Sequence, residues 1–186
     1  NKLLHGKRIM IEFGHPNPFK VIHIGHLRNF FIGESLCRLL EFEGAEVIRT
    51  NYQGDVGMHV AKCVWMMRKQ IKNLKDTSIN ARVKFLSDCY VQGAKAFEED
   101  EKAKNEITDV NKAIYTNTDE EITKLWKMGV EWSLEKFQVL YKRLDTSFQR
   151  EYMESETVEK ATKNIARAIE KGILVKSKGA IVFIGE

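Results

Sequence analysis

The sequence predicts an α/β protein built on a parallel sheet. Within residues 7–14, a near-continuous apolar run of Ile9, Met10, Ile11 and Phe13 is typical of a short strand buried on both faces. A helical period of apolar residues then begins near Gly25 and stops at Gly44, and residues 45–51 form a second strand-like run. Since strand, helix and strand follow one another in this order, we expect a right-handed βαβ unit with parallel strands.

The first strand leads into a stiff turn. The chain contains two prolines, Pro16 and Pro18, and both lie shortly after this strand. Each proline pushes the residue before it out of the helical region, so the chain leaves the strand along an extended path. Ligands of open α/β sheets bind outside the carboxyl ends of the strands, which makes this turn the expected place for a site.

Residues 67–118 differ from the segments on either side. They are charged, helical in period and nearly free of strand signals. One face of a predicted helix carries Val83, Leu86, Tyr90, Ala94 and Phe97. We therefore divide the chain into the first half of an α/β domain (1–66), a helical insertion (67–118) and a return to the α/β domain (119–186).

The return segment begins with a long predicted helix. Thr118 and Glu121 have the spacing of a capping box, which places the start of the helix at Thr118. The elements expected after it are a strand at residues 146–152, a helix at 155–171 capped by Ser155, and a hairpin of two strands at 173–186.

Composition excludes several classes of protein. Hydrophobic residues make up 43% and charged residues 30%, an ordinary balance for a soluble domain, and no apolar run approaches the roughly 18 residues of a membrane span. The net charge of +4 permits a polyanionic partner without requiring one. Three cysteines without a close pair favour neither a disulfide nor a zinc site, so we expect a reducing, cytoplasmic setting.

Polar residues gather at the first carboxyl end, in the stretch NPFKVIHIGHLRNF (residues 17–30). His23 stands just before the predicted helix, His26 lies in its first turn, and Lys20 precedes both. A helix N-terminus offers unpaired N–H groups and a partial positive charge, and Gly25 lets a ligand approach the backbone. One isolated histidine would more often be a satisfied structural residue, but the whole set favours a phosphate-binding site.

The same stretch resembles a known family. His-Ile-Gly-His at residues 23–26 is the first signature of the class I aminoacyl-tRNA synthetases and related nucleotidyl transferases. The wider run over residues 11–57, with its Glu-Phe strand end, Pro-Asn-x-x-Lys element, GHLR and GD-x-G turn, resembles the arginyl-tRNA synthetases in particular. The resemblance is looser from there to the end of the chain. It implies the Rossmann-like, nucleotide-binding parallel sheet of class I synthetases, here incomplete and carrying a helical insertion.

The resemblance implies an ATP site with Mg²⁺ as cofactor. His23 and His26 would bind the ATP phosphates and stabilise the charge that builds at the α-phosphorus when the arginine carboxylate attacks. Lys20 would contact the phosphates as a point charge, and Gly25 would lie against the adenosine. No protein metal site is expected.

The resemblance also assigns an arginine pocket. Its residues would be Glu12, Asn17, Asp55 and Glu154. Each carboxylate has a structural alternative, since Glu12 would also suit an ion pair with Arg8 or Lys7, Asp55 would also fix its turn, and Glu154 with Ser155 would also form a plain helix cap.

Two departures from the family pattern lie at the edge of this pocket. The family usually has two small hydroxyl residues before the first proline, where this chain has Gly14 and His15. It often has Thr-Gln after GD-x-G, where this chain has Met58 and His59. The arrangement of the arginine contacts should therefore differ in detail from the usual pattern.

Several family elements do not occur in the sequence. The Lys-Met-Ser-Lys signature is missing, as are the Tyr-and-Asp arginine-binding element and the N-terminal and anticodon-binding domains. We therefore expect a partial catalytic domain that is inactive or nearly so by itself, exposes an apolar patch and tends to self-associate. The parent protein is expected to be a monomer that binds arginine, ATP and tRNA(Arg) and no membrane.

Two alternative functions remain open at this point. One is another class I synthetase or a nucleotidyl transferase, and the other is a non-catalytic module that keeps the fold for tRNA or protein contacts. All the residues expected to bind ATP are present, namely Lys20, His23, Gly25 and His26. Their presence argues against a module that has lost its ATP site.

Overall fold

A parallel sheet of three strands organises the first and last parts of the chain. The computed structural model describes residues 2–177 and 179–185. Its elements in chain order are β1 (Arg8–Glu12), α1 (Ile24–Phe42), β2 (Glu46–Gln53), α2 (Met58–Gln70), a 3₁₀ turn (Ile71–Asn73), α3 (Ile79–Glu99), α4 (Glu101–Thr116), α5 (Glu120–Leu144), β3 (Arg150–Met153), α6 (Glu154–Glu170), β4 (Val175–Ser177) and β5 (Ala180–Val182).

The sheet has the order β1-β2-β3, and both pairs of strands are parallel. The predicted βαβ unit and third strand are therefore confirmed. The expected burial of β1 on both faces was wrong, because α1 covers one face only and Met10 on the other is 61% exposed. Glu12 pairs with Thr50, and Gln53 pairs with Met153. The carboxyl ends of all three strands consequently meet at one edge of the sheet.

Helix α1 packs closely on the sheet through a strip of small and aromatic residues. Phe30, Gly33 and Cys37 are its buried residues. A Cβ on Gly33 would lie 2.2 Å from Cγ of Phe13, so only glycine fits at that position. The rings of Phe13 and Phe30 meet edge to face with centroids 6.4 Å apart. This contact fixes the helix that carries the two signature histidines.

An ion-pair network also holds α1 to β2. The Arg49 guanidinium donates to both carboxylate oxygens of Glu34, at 3.0 Å each, and to both of Glu41, at 2.6 and 3.0 Å. Arg38 joins Glu34 to Asp145 beyond the end of α5. Burial alone would raise the pKa of Glu34, but hydrogen bonds from Arg49, Arg38 and Thr146 together lower it.

The predicted helical insertion shares one core with its neighbours. Helix α2 runs across the predicted boundary between residues 66 and 67, and it packs against α3, α4 and α5. Buried residues of this core include Val60, Val64, Met67, Leu86, Ile107, Val110, Ile122 and Leu125. A Cβ on Gly93 would lie 2.1 Å from the carbonyl oxygen of Lys62, so glycine permits the close approach of α3 to α2.

Two predicted helix caps were wrong. Helix α5 begins at Glu120, and the side chain of Asp119, not that of Thr118, accepts the N–H of Ile122. The Thr118 hydroxyl instead bonds that of Thr116. An ionised aspartate suits a helix N-terminus better than a neutral hydroxyl does, because the helix end carries partial positive charge.

Helix α6 begins at Glu154, one residue before the predicted cap. The helix has no side-chain cap from its own segment, and the hydroxyl of Ser155 donates to Asp55 instead. The predicted terminal hairpin is confirmed over β4 and β5, which pair antiparallel. Lys178 and Glu186, which also fall within the predicted hairpin, lie outside the described residues. None of the described helices is long and apolar enough to cross a membrane.

Candidate active site

The two signature histidines hold each other at the start of α1. The Gly25 N–H donates to Nδ1 of His23 at 3.1 Å, and the His23 N–H donates to Nδ1 of His26 at 3.2 Å. The two residues form a reciprocal capping box, and their ring centroids are 3.9 Å apart. Both imidazoles are thus fixed by the backbone of the helix that they begin.

These hydrogen bonds decide which nitrogen of each imidazole ring carries the proton. Since Nδ1 of each ring accepts a backbone N–H, the neutral form of His23 and of His26 carries its proton on Nε2. Burial, His23 and Lys20 together lower the pKa of His26, which favours this neutral form. The pair therefore presents two Nε2–H donors. The sequence had indicated unpaired backbone N–H groups as donors, but His23 already occupies that of Gly25.

The absence of a side chain at Gly25 leaves space for the His23 imidazole. A Cβ at this position would lie 2.9 Å from Cε1 and 3.0 Å from Nδ1 of His23. Such distances are too short for unbonded atoms, so any larger residue would push the His23 ring out of its capping position. The absence of a side chain at Gly25 is therefore required within the chain, before any ligand is considered.

Lys20 is positioned by its neighbour Phe19. The Phe19 side chain is buried with a left-handed φ of 66°, and its N–H donates to the Ser133 hydroxyl at 3.0 Å. A Cβ on Gly129 would lie 2.1 Å from the Phe19 ring, so the ring packs against α5 only because residue 129 is glycine. Lys20 in turn stands close enough to His26 and His59 to lower the pKa of both imidazoles.

Asn17 and Glu154 meet at the end of β2. The Gly54 N–H donates to Oδ1 of Asn17 at 2.8 Å. A Cβ on Gly54 would lie 3.0 Å from Oδ1 of Asn17 and 3.2 Å from Oε2 of Glu154. Glu154 begins α6 directly after β3. Among the described residues, its carboxylate has neither a hydrogen bond nor an ion pair, so it is free to take a cationic ligand.

Asp55 holds the start of α6. Its side chain is buried, its Oδ1 accepts the Ser155 N–H at 2.9 Å, and its Oδ2 accepts the Ser155 hydroxyl at 2.6 Å. The Asp55 carbonyl accepts the indole N–H of Trp126 at 2.7 Å. The sequence left open a substrate contact or the fixing of its own turn for Asp55, but the geometry supports a third, structural role, because the carboxylate caps α6 and thereby positions Glu154.

Glu12 lies at the end of β1 with its carboxylate half exposed. It pairs with neither Arg8 nor Lys7, since Arg8 contacts Glu46 at 3.6 Å instead. Its contact is His15, whose Nδ1 lies 3.7 Å from Oε1 of Glu12. The structural alternative proposed for Glu12 is therefore wrong in its partner, and the carboxylate remains accessible at the sheet edge.

Sequence reasoning missed the place of His59, although it noted this residue as a departure. The Nε2 atom of His59 lies 3.2 Å from the Gly54 carbonyl oxygen, which makes Nε2 the donor of the neutral ring. Burial, followed by Lys20, lowers the pKa of His59. It also missed Tyr90 of the insertion, whose ring centroid lies 6.0 Å from Nζ of Lys20. The Lys20–Tyr90 contact could not be found from spacing, because it joins distant segments, whereas the contact of His59 with Gly54 depends on the local turn at the start of α2.

Metal ligands are not clustered in the part of the chain that the structure describes. Over residues 2–177 and 179–185 there is no group of three or more His, Cys, Asp or Glu side chains that would hold an ion.

Comparison with known proteins identifies the family. A family model described as tRNA synthetases class I (R), catalytic domain, matches residues 1–186. The arginine–tRNA ligase of Treponema denticola is 37% identical over 183 residues, which cover 97% of this chain and 31% of that protein. The arginine–tRNA ligase of Borreliella afzelii is 35% identical over 185 residues, 99% of this chain and 32% of that protein. The chain thus spans about a third of the length of these relatives.

The fold agrees with this match. The crystal structure of arginyl-tRNA synthetase from Plasmodium falciparum superposes with a TM-score of 0.72 at 25% identity, covering 98% of this chain and 30% of that one. The predicted class I synthetase fold is confirmed, and the alternatives of another synthetase, a nucleotidyl transferase or a non-catalytic module are not favoured. This chain belongs to the family of class I arginyl-tRNA synthetase catalytic domains.

Proposed function

We propose that the full-length protein containing this chain activates arginine with ATP and transfers the arginyl group to tRNA(Arg). The observation that carries the proposal is the histidine pair, whose two Nε2–H donors are fixed at a helix start beside Lys20. An anionic phosphate fits this set because two imidazole donors, one ammonium group and a helix N-terminus all favour negative charge.

The chemistry assigned to each group follows from its charge. His23 and His26 donate to oxygens of the ATP phosphates and stabilise the negative charge that grows at the α-phosphorus during attack by the arginine carboxylate. Lys20 neutralises a further phosphate charge, and the Gly25 backbone lies against the adenosine, beside the His23 ring that fills the space of a Gly25 side chain. Fixed donors cost no reorganisation during the reaction, which is why the capping box matters for rate as well as for structure. Mg²⁺ would enter with the ATP phosphates.

The arginine pocket lies at the same sheet edge. Glu12 and Glu154 offer carboxylates with no competing lysine or arginine partner among the described residues. Asn17 anchors the turn between them through Gly54. Asp55 contributes by holding Ser155, and hence Glu154, rather than by direct contact. A cationic amino acid is the class of substrate that two such carboxylates select.

ATP–pyrophosphate exchange by the full-length protein tests this proposal. We expect exchange that depends on arginine and not on lysine, glutamate or cysteine, measured with and without tRNA. The variant His23→Asn keeps a good helix cap but loses the Nε2–H donor. It should lower kcat by about 10² to 10³-fold, with a thermal unfolding midpoint close to that of the wild type.

The matched control removes a histidine that lies outside the site. His5 is exposed in the turn before β1, and His5→Ala should leave exchange unchanged. Exchange with another amino acid, or full activity of His23→Asn, would contradict the proposal.

A further inference from the structure

A small apolar cavity lies between the turn that precedes α1 and the helices α3 and α5. Its volume is about 150 Å³, and its walls include Phe19, Ile22, Val83, Leu86 and Phe137. The side chains of Phe19, Leu86 and Phe137 are almost completely buried, so these walls belong to the packed interior. An apolar cavity of about this volume holds a molecule of the size of benzene.

The polar residues that line the cavity are one serine and two lysines. The Ser133 hydroxyl donates to the Gly129 carbonyl at 2.7 Å and accepts the Phe19 N–H at 3.0 Å, so its hydrogen is already bonded within the chain. Lys20 and Lys136 are the charged residues of the lining, which includes no carboxylate among the described residues. The cavity therefore combines apolar walls with positive charge.

Neither lysine forms an ion pair with any described residue. Nζ of Lys20 lies 6.0 Å from the ring centroid of Tyr90, and Nζ of Lys136 donates to Oδ1 of Asn80 at 3.0 Å. Since an ammonium group has three N–H donors, Lys136 keeps donors for a ligand beyond its bond to Asn80. Both lysines are partly buried, and an ion pair formed there is stronger than one in open water.

We propose that this cavity binds a small apolar carboxylate, in which a hydrocarbon body of the size of a benzene ring fills the space and the carboxylate pairs with Lys20 and Lys136. Val21 also lines the cavity and is 53% exposed, so the cavity opens to solvent on that side. A neutral molecule of the same shape would leave both ammonium groups without a partner, and a cation would be repelled by them.

The cavity shares Lys20 with the proposed ATP site. Lys20 lies close enough to His26 and His59 to lower the pKa of both imidazoles. A carboxylate bound in the cavity would take up the charge that the proposed function assigns to the ATP phosphates. The acid should therefore weaken ATP binding, and ATP should weaken binding of the acid by the same factor. This coupling rests on the proposed function, whereas binding of the acid does not.

Titration calorimetry of the full-length protein with benzoate tests the binding, and benzamide and benzylamine serve as its neutral and cationic counterparts. We expect benzoate to bind about tenfold more tightly than either counterpart, because only its carboxylate forms charged hydrogen bonds with the lysines. Benzoate should also raise the KM for ATP in ATP–pyrophosphate exchange and leave the KM for arginine unchanged.

Three variants locate the bound acid. Lys136→Met keeps a long side chain without the charge, and it should weaken benzoate binding about tenfold while exchange without benzoate stays unchanged. Val83→Phe fills the cavity and should abolish the binding. Lys142→Met removes an exposed lysine of the same helix and should bind benzoate as the wild type does. Thermal unfolding confirms that each variant folds.

The inference is overturned if benzoate does not bind to the wild type, or if benzamide binds equally well. Unchanged binding in Lys136→Met, binding that persists in a folded Val83→Phe variant, or displacement of benzoate by arginine would place the acid elsewhere and would overturn it too. Calorimetry requires no turnover. Absence of arginine-dependent exchange in the wild type would therefore defeat the proposed function, while loss of benzoate binding in Lys136→Met would still support the cavity as the site.

Discussion

Gly25 shows that a signature residue can be required by its own chain. The glycine between the two histidines leaves room for the His23 ring, which turns back to accept the Gly25 N–H. The same hydrogen bond therefore caps the helix and orients the Nε2–H donor of His23. Since His26 accepts the His23 N–H in return, a change at one residue of the motif should disturb the other two.

The first prediction concerns Gly25→Ala. The added Cβ would lie 2.9 Å from Cε1 of His23 and should rotate that ring away from its cap. We expect kcat/KM for ATP in the full-length protein to fall by about 10², with little change in the KM for arginine. Nitrogen-15 NMR of the imidazoles would show loss of the fixed Nε2–H form of His23. Gly185→Ala, where the nearest atom is 3.7 Å from the added Cβ, is the control.

The second prediction tests whether Asp55 has a structural role or binds the substrate. Asp55 and Ser155 share two hydrogen bonds, so Asp55→Asn, Ser155→Ala and the double variant form a double-mutant cycle. If Asp55 acts by holding α6, the cycle should give a coupling energy of about 0.5–3 kcal/mol in stability. Ser155→Ala should then raise the KM for arginine nearly as much as Asp55→Asn does.

A direct contact between Asp55 and arginine would give a different result. Asp55→Asn would raise the KM for arginine strongly, while Ser155→Ala would leave it unchanged. Guanidinium chloride unfolding of the three variants supplies the stability values.

Among the elements, α1 depends on the buried charges beneath it. The Arg49 and Glu34 side chains are 11% and 12% exposed, and Arg49 makes paired hydrogen bonds to two carboxylates. Removing one member of such a group leaves charge without compensation in a place with little water. The network therefore fixes the position of α1, and with it the histidine pair, relative to β2.

The third prediction is a pH dependence of stability. The Glu34 and Glu41 pKa values are lowered from the ordinary 4.5, so the ionised pairs stabilise the folded chain above that pH. This stabilisation is lost as the pH falls through the lowered pKa values, because the folded state must then take up protons. The free energy of unfolding, measured by denaturant titration from pH 7 to pH 3, should fall accordingly.

Arg49→Met tests the cause of that dependence. This substitution should lower the free energy of unfolding by about 3 kcal/mol or more at pH 7. The free energy of unfolding should then fall less between pH 7 and pH 3 than it does in the wild type. Arg8→Met breaks an exposed pair with Glu46 and should cost less than about 1 kcal/mol. Equal pH profiles for wild type and Arg49→Met would rule out the network as the source.

On the scale of the whole molecule, α1 is apolar on two faces. One face packs on the sheet, while the opposite face exposes Ile24, Phe31, Ile32, Leu36, Leu39 and Phe42. At about 100° per residue, these six positions fall within one sector of the helix, which also contains the exposed Arg28 and Ser35. The exposed apolar patch expected from the sequence is therefore confirmed, and it lies on the signature helix. Self-association remains a prediction.

The fourth prediction is that the 186-residue chain associates through this face. Sedimentation velocity should show mass increasing with protein concentration, because a contiguous apolar surface favours association. Phe31→Glu combined with Leu39→Glu should reduce this association markedly. Val91→Glu, at an exposed residue of α3, should not. A chain that stays monomeric at all concentrations would refute the prediction.

The fifth prediction concerns activity of the same chain. It spans about a third of the length of its relatives and has no Lys-Met-Ser-Lys signature in its sequence. We expect it to show little or no arginine-dependent ATP turnover, measured as pyrophosphate release. Turnover close to that of the full-length protein would mean that these residues suffice for activation.

Much of the fold followed from local patterns. The runs and periods of apolar residues gave the βαβ unit, the third strand and the terminal hairpin, because each is a local pattern within one element. Caps were less predictable. Thr118 and Ser155 both have suitable side chains, but Asp119 and the distant Asp55 take the capping positions. Competition between acceptors depends on charge and on which segments meet.

The sequence by itself determined the family and the parallel α/β frame, and it singled out the residues that we propose to bind phosphate. A continuous sequence motif and the short-range period of apolar residues are enough to predict these features. Only the tertiary structure decided that Asp55 supports α6, that Glu12 lies beside His15, and that both signature imidazoles present Nε2–H. The physical reason is that hydrogen-bond partners and burial arise where β1, β2 and β3 end together, and residues as distant in sequence as Asp55 and Ser155, 100 positions apart, meet there.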